Sequence, residues 1–314
     1  MRWMPLAWNL AWVLSMAVVT VAMSCYRDGG YLREAISSVL SQTSPEWRMS
    51  LVLDGGADEE TRGVFDGVSD SRVRKFAFAE NMGPYVALNK AVEMSESTYV
   101  LPMGADDLLP SDCIERILGR FEEAPDLDFT YGDIRYFGEF EKVDRFSERI
   151  TVDNVIPKNA MPGVIAYRKG AWEELGGYAV ELRDGMADYD FNIGLVEAGF
   201  EGGHIGGRYI YYHYRQKPSG HVSGSYFTRI YEKRRIVVER HPKLFSDDRL
   251  RCLFLGFGAL TTADHLGQAG EYAGCRRMAW EAFKYRYIRL GTIFMLIFSF
   301  PFSKIRRFFG MRRY

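Results

Sequence analysis

The chain has 314 residues, which at roughly 150 per domain allows one large α/β domain with additions or two ordinary domains. Hydrophobic residues at 47% and charged residues at 26% exclude a disordered chain, and 31 Gly without a triplet period exclude a collagen-like one. A net charge of -1, from 40 Lys+Arg and 41 Asp+Glu, gives no case for a nucleic-acid partner.

The balance is uneven along the chain. Residues 276–314 hold ten Lys+Arg and one acid, Glu281, a local +9 that leaves -10 for the first 275 residues. Cys25, Cys113, Cys252 and Cys275 are scattered with no C-x-x-C pair, which fits free thiols in a reducing, cytosolic compartment better than disulfides or zinc.

From Trp3 to Tyr26 there is no charge, long enough for a transmembrane helix or signal sequence on length alone. Its second half, Ala17 to Met23, is β-branched and runs into Arg27-Asp28-Gly29-Gly30 and a helical pattern, so it is assigned to a first strand. Residues 1–16 remain as an apolar, Trp-rich segment with an interfacial signature. Further strands start near Met49, Val73 and Thr98. Between them lie helices with apolar stripes, Leu32, Ala35, Ile36, Val39 and Leu40 in one and Val86, Leu88, Ala91 and Val92 in another. This alternation predicts an α/β fold with a mainly parallel sheet flanked by helices and ligands at the carboxyl ends of the strands.

A helix is expected over 111–123, then strands over 129–137, 164–168 and 209–214, with a helix bearing Phe191, Leu195 and Ala198 after Asp188. Residues 225–289 read as helical, best over 226–240 and 250–266. Leu290 to Ser303 is uncharged, but 14 helical residues cover about 21 Å of a roughly 30 Å hydrocarbon core. With Lys304, Arg306, Arg307, Arg312 and Arg313 beyond it, this tail is expected to lie on an anionic membrane surface rather than to cross it.

Five carboxylates fall at expected strand ends or loops: Asp28, Asp54, Asp106, Asp107 and Asp188. Any one of them reads alternatively as a helix cap. Adjacent Asp106 and Asp107 repel one another unless a cation or donors offset them, and such oxygen ligands suit Mg2+ or Mn2+ bound jointly with phosphates. A glycine-rich phosphate loop is missing from the sequence.

At these residues the sequence resembles the inverting family 2 nucleotide-sugar glycosyltransferases of GT-A fold. The stretch Val21 to Asp28 is similar to that family's opening strand and Tyr-Asn loop, and Val52-Leu53-Asp54-Gly55-Gly56 to its second-strand signature. Asn81-Met82-Gly83 with Ala87-Leu88-Asn89 resembles its Asn-x-Gly…Ala-x-Asn helix, and Gly104-Ala105-Asp106-Asp107 its metal motif. Ala187-Asp188-Tyr189-Asp190 falls on the catalytic-base motif, and Tyr214-Arg215-Gln216-Lys217-Pro218 resembles the closing Tyr-Arg-x-His-Pro. The resemblance implies a GT-A glycosyltransferase domain over 17–240, a helical extension over 241–289 and a membrane-associating tail over 290–314.

It also implies a nucleotide-sugar site at Tyr26, Asp28, Asp54, Asn81 and Asp106, a divalent metal, Mn2+ or Mg2+, at Asp106 and Asp107, and Asp188 as general base with Asp190 as the other candidate. The donor would be UDP-linked and the acceptor a saccharide or lipid-linked glycan in cell-surface glycan synthesis. The enzyme would act in the cytoplasm or at the cytoplasmic face of the membrane. Three departures bear on this: Gly104 stands for the first metal carboxylate, Ala187 for the glutamate before the base, and Lys217 where a histidine is common. His213 and His221 flank Lys217, and both read as ordinary strand or loop residues. Two other readings fit the same residues, a non-catalytic nucleotide-sugar or glycan-binding scaffold and a sugar nucleotidyltransferase.

Overall fold

The computed structural model describes residues 18–217 and 224–287. The Trp-rich segment 1–16, Pro218, His221 and the tail 290–314 lie outside the described residues. Those described form two compact units. Residues 18–150, 162–183 and 199–217 make the first, and 151–161, 184–198 and 224–287 the second.

The first unit is built on a seven-stranded sheet of order β3-β2-β1-β4-β8-β5-β9. Its strands are β1 (Val19–Cys25), β2 (Trp47–Leu53), β3 (Val73–Ala77), β4 (Tyr99–Gly104), β5 (Phe129–Tyr131), β8 (Ala166–Arg168) and β9 (Gly202–His204). The first four pair in parallel, and β8 is antiparallel to both β4 and β5. β1 and β4 are almost wholly buried, as expected of strands covered on both faces. β3, at one end of the sheet, exposes Arg74, a charge that discourages pairing with another sheet, while the Lys75 ammonium donates to the Phe65, Asp66 and Val68 carbonyls.

Helix α1 (Gly29–Leu40) buries Leu32, Ala35, Ile36 and Val39 of the expected stripe, while Leu40 is exposed. Helices α2 (Glu59–Gly67), α3 (Pro84–Glu93) and α4 (Cys113–Glu123) follow, and α3 buries Ala91 and Val92 of the expected stripe together with Ala87, while Val86 and Leu88 are half-buried. The strand expected over 129–137 is two strands: β5 stays in the large sheet, and β6 (Asp133–Gly138) joins a second sheet of order β10-β6-β7 with β7 (Lys142–Asp144) and β10 (Ile210–Gln216). β10 runs parallel to β6, an arrangement that local sequence pattern does not disclose.

The second unit is helical. The helices Val152–Val155, Ala187–Ala198, Gly224–Thr228, Ile230–Arg240, Asp248–Gln268 and Tyr272–Lys284 compose it, so the helix expected over 226–240 is broken at Arg229. Ala263, Leu266, Cys275 and Ala279 are buried together between its last two helices. All four cysteines are free thiols. Among the described residues no helix is long and apolar enough to cross a membrane.

Candidate active site

The strand order reverses at β1, between β2 and β4, and the loops after these strands bring Asp28, Asp54, Asp106 and Asp107 to one end of the sheet. Asp28 precedes α1 but does not cap it. Asp58 caps the next helix, α2, accepting from the Thr61 N–H at 2.7 Å. The Thr61 hydroxyl then accepts the backbone N–H groups of Asp28 and Gly29, at 3.0 and 2.8 Å. Freed from capping, the Asp28 carboxylate accepts from the Tyr26 N–H at 2.9 Å and lies 3.5 Å from the Lys217 ammonium. Burial pushes the Asp28 carboxyl up, partly offset by the Tyr26 N–H and Lys217.

Asp54, after β2, is 3% exposed and both its oxygens accept backbone N–H groups. Oδ1 takes Gly55 at 3.1 Å and Met82 at 2.7 Å, and Oδ2 takes Gly83 at 2.9 Å. It therefore ties the 81–83 loop to the end of β2. Gly55 permits that closeness, since a Cβ there would lie 2.3–2.5 Å from the Glu80 backbone. Asn81 stands exposed on this loop, and the Arg183 guanidinium reaches it at 3.5 Å. Arg183 was not singled out from sequence, because no motif links it to residues a hundred positions earlier.

After β4, Asp106 and Asp107 diverge. Asp107 is buried: its Oδ2 accepts from the Tyr212 hydroxyl and its Oδ1 from the Arg215 N–H, both at 2.7 Å. Tyr212 in turn accepts from the Gly104 N–H at 2.9 Å. Backbone bonds between Leu108 and His213 complete the clasp between the β4 loop and β10. Burial, and then the neighbouring Asp106 charge, push the Asp107 carboxyl up. The clasp delivers Lys217, just past β10, to Asp106: the ammonium lies 2.7 Å from Oδ2. Arg215 donates to the Asp106 carbonyl and to Glu34, at 2.7 and 2.6 Å. His213 pairs through its backbone and sets its ring against Phe137, as an ordinary strand residue does.

These residues do not make a divalent-cation cage. Both Asp107 oxygens are committed, Asp106 is paired with an ammonium, and a Cβ on Gly104 would sit 2.6 Å from Asp107 Oδ2 and 3.0 Å from Asp106 Oδ1. Among the described residues no group of three His, Cys, Asp or Glu side chains could hold a metal ion. A pocket lined by Glu46, Arg48, Arg72, Ser97 and Thr98 contains none of the candidate residues.

In the second unit, Asp188 is the second residue of the helix Ala187–Ala198, inside its first turn and so not its cap. The turn before it is strained: Gly185 has φ 116° and Met186, a non-glycine, φ 79°. Burial pushes the Asp188 carboxyl up, against the lowering effect of nearby backbone N–H groups. Asp190 is different. It is 1% exposed, receives Arg240 Nε at 3.0 and 3.1 Å, and lies 3.0 Å from His241 Nε2. His241 Nδ1 lies 3.0 Å from Glu197. Asp190 is thus bound up in a buried ionic cluster.

With its carboxylates at strand ends on either side of a reversal in strand order, the first unit has an α/β fold of GT-A type. The chain belongs to glycosyl transferase family 2, whose profile matches residues 20–177. It is 28% identical over 172 residues to the PGL/p-HBAD biosynthesis glycosyltransferase of Mycobacterium bovis, covering 52% of this chain and 63% of that protein. The chain thus spans less than two thirds of the curated relatives it matches first. S. aureus TarS 1–349 in complex with UDP-GlcNAc shares the fold, with a TM-score of 0.67 at 15% identity over 95% of this chain and 93% of that chain. The mannosyltransferase PcManGT from Pyrobaculum calidifontis, in complex with GDP-Man and Mn2+, has a TM-score of 0.55 at 14% identity, covering 94% and 88%.

Proposed function

We propose that this protein is an inverting glycosyltransferase that moves a sugar from a UDP-linked donor to a hydroxyl of a saccharide or lipid-linked acceptor, in cell-surface glycan synthesis. The observation that carries the reading is the end of the sheet in the first unit, where a family 2 sequence converges Tyr26, Asp28, Asp106 and the Asp54-held Asn81 loop. Tyr26, Asp28 and Asn81 serve the nucleoside end, and Asp54 serves it by fixing the loop. Asp106 stands at the diphosphate end. Asp188 is the proton acceptor.

In the reaction the acceptor oxygen bonds to the anomeric carbon from the face opposite the leaving group. The carbon–oxygen bond to the diphosphate breaks, its electron pair leaves with the nucleoside diphosphate, and the acceptor proton passes to Asp188. A carboxyl raised toward neutral pH is better matched to that transfer than an ordinary one. The divalent cation implied by the sequence resemblance takes no part in this reading, because the donor set at Asp106 and Asp107 does not suit it. Attachment to the cytoplasmic face of a membrane rests on the basic and apolar sequence of residues 290–314.

The test is a thermal-shift screen of the purified protein against nucleotide-sugars, followed by incubation with the best binder. Release of nucleoside diphosphate supports transfer. Release of pyrophosphate would instead make the protein a nucleotidyltransferase, and binding without turnover would make it a scaffold.

A further inference from the structure

We propose that Lys217 is the cation that meets the donor's diphosphate, in the place a divalent metal would take, so that donor binding by this protein is metal-independent. The inference rests on the nucleotide-sugar reading above and names how that site handles its charge.

A diphosphate carries negative charge to a sheet end already holding carboxylates, so something positive has to stand between them. The structure puts an ammonium there. Lys217 Nζ is 2.7 Å from Asp106 and 3.5 Å from Asp28, which join the site from the ends of β4 and β1, and it lies 4.9 Å from the centre of the Tyr31 ring. The Lys217 side chain is 18% exposed, and the two carboxylates are 13% and 19% exposed. The charge is therefore fixed in position and weakly screened, yet still reachable. An ammonium has three N–H donors, and among the described residues two carboxylates meet it, which leaves a donor for a phosphate oxygen.

The surroundings favour this cation over a metal. Gly104 supplies no ligand, and a side chain at that position would have to displace the Asp107 and Asp106 carboxylates, 2.6 and 3.0 Å from its Cβ. Asp107 spends both oxygens on β10, and that hold is what carries Lys217 to its place. Arg215, the neighbouring cation, is committed to Glu34 and to the Asp106 carbonyl. The same clasp that removes Asp107 as a metal ligand thus installs a protein cation at the diphosphate end.

The experiment is calorimetric titration of the full chain with UDP, with GDP and with uridine, each in excess EDTA and in excess Mn2+. The expected result is nucleoside-diphosphate affinity unchanged within about twofold between EDTA and Mn2+. Lys217→Gln should weaken that binding about 10- to 100-fold, the loss of one charge-assisted contact, and leave uridine binding as it was. Manganese electron paramagnetic resonance should show no added Mn2+ uptake when UDP is present. Binding of UDP or GDP that requires Mn2+ in the wild-type chain would overturn the inference while leaving the nucleotide-sugar reading intact. So would equal affinity in the wild type and a folded Lys217→Gln variant. Failure of both diphosphates and of uridine to bind under either condition would overturn the nucleotide-sugar reading, and the inference with it. The EDTA and Mn2+ comparison on the wild-type chain decides the matter even if the variant does not fold.

Discussion

The Tyr212 hydroxyl donates to Asp107 Oδ2 at 2.7 Å while accepting the Gly104 N–H at 2.9 Å, so one buried phenol joins the end of β4 to the loop after it. Its removal orphans two groups at once. Tyr212→Phe leaves a buried carboxylate oxygen and an N–H without this partner, and should destabilise the first unit by about 1–3 kcal/mol. Urea denaturation checks this. A variant as stable as the wild type would mean that the clasp contributes nothing.

Asp188 and Asp190 should part company. Asp188→Asn, in the first turn but not at the cap, should keep the melting temperature while turnover falls by on the order of 100-fold or more. In the wild type the acid limb of kcat/KM should lie above pH 3.8, because a base with a raised carboxyl pKa is deprotonated, and active, only at higher pH. Asp190→Asn should instead cost about 3–5 kcal/mol of stability, since it removes the negative charge that Arg240 and His241 meet in a buried ionic cluster. Loss of turnover with intact stability in Asp190→Asn would exchange the two roles.

Stability should depend on pH through His241. Burial lowers the pKa of this imidazole, but hydrogen bonds and charge from Asp190 and Glu197 outweigh burial and raise it above 6.5. A histidine raised in the folded state contributes stability that is fully present below pH 6.5 and is lost as pH rises through the higher, folded value. The stability difference between wild type and His241→Gln should therefore be largest in mild acid and shrink on the alkaline side. A difference that grows with pH would contradict it.

Gly55→Ala should be damaging although it adds one methyl group. Its Cβ would meet the Glu80 backbone at 2.3–2.5 Å, and backbone cannot swing away as a side-chain tip can. A loss of about 1–3 kcal/mol is expected, with weaker nucleoside binding as the Asp54-held loop shifts. Unchanged nucleoside affinity in a folded variant would separate that loop from the site.

The parallel sheet was legible because β1, β2 and β4 are largely apolar runs and the helices α1 and α3 between strands show apolar stripes, while β3, Val-Arg-Lys-Phe-Ala, has a weaker pattern. The strand-end acids followed from that topology. What they touch did not. Asp58 caps its own helix α2, and at the start of α1 the Thr61 hydroxyl, 33 positions from Asp28, takes the backbone N–H groups in place of the Asp28 side chain. Lys217 reaches Asp106 only because β10 pairs with β6 and is clasped to the β4 loop, across more than a hundred residues. Asp190 and His241 are likewise 51 positions apart, beyond the reach of any periodicity.

The membrane expectation is tested on the full chain by co-sedimentation with anionic vesicles. Each cation near such a surface contributes about 1 kcal/mol, so changing Lys304, Arg306 and Arg307 to Glu should abolish most of the binding. Added salt should weaken the wild-type interaction without removing it, since the apolar part is unscreened. Equal sedimentation of both chains would assign the tail another role.

The central claim is glycosyl transfer with inversion, and the direct measurement is NMR of the wild-type chain with a UDP-linked sugar and a saccharide acceptor. Phosphorus spectra should show UDP accumulating with the product, proton spectra should show an anomeric configuration opposite to the donor's, and both should fail in Asp188→Asn. Pyrophosphate as the released species, or a product that keeps the donor's configuration, would contradict the account.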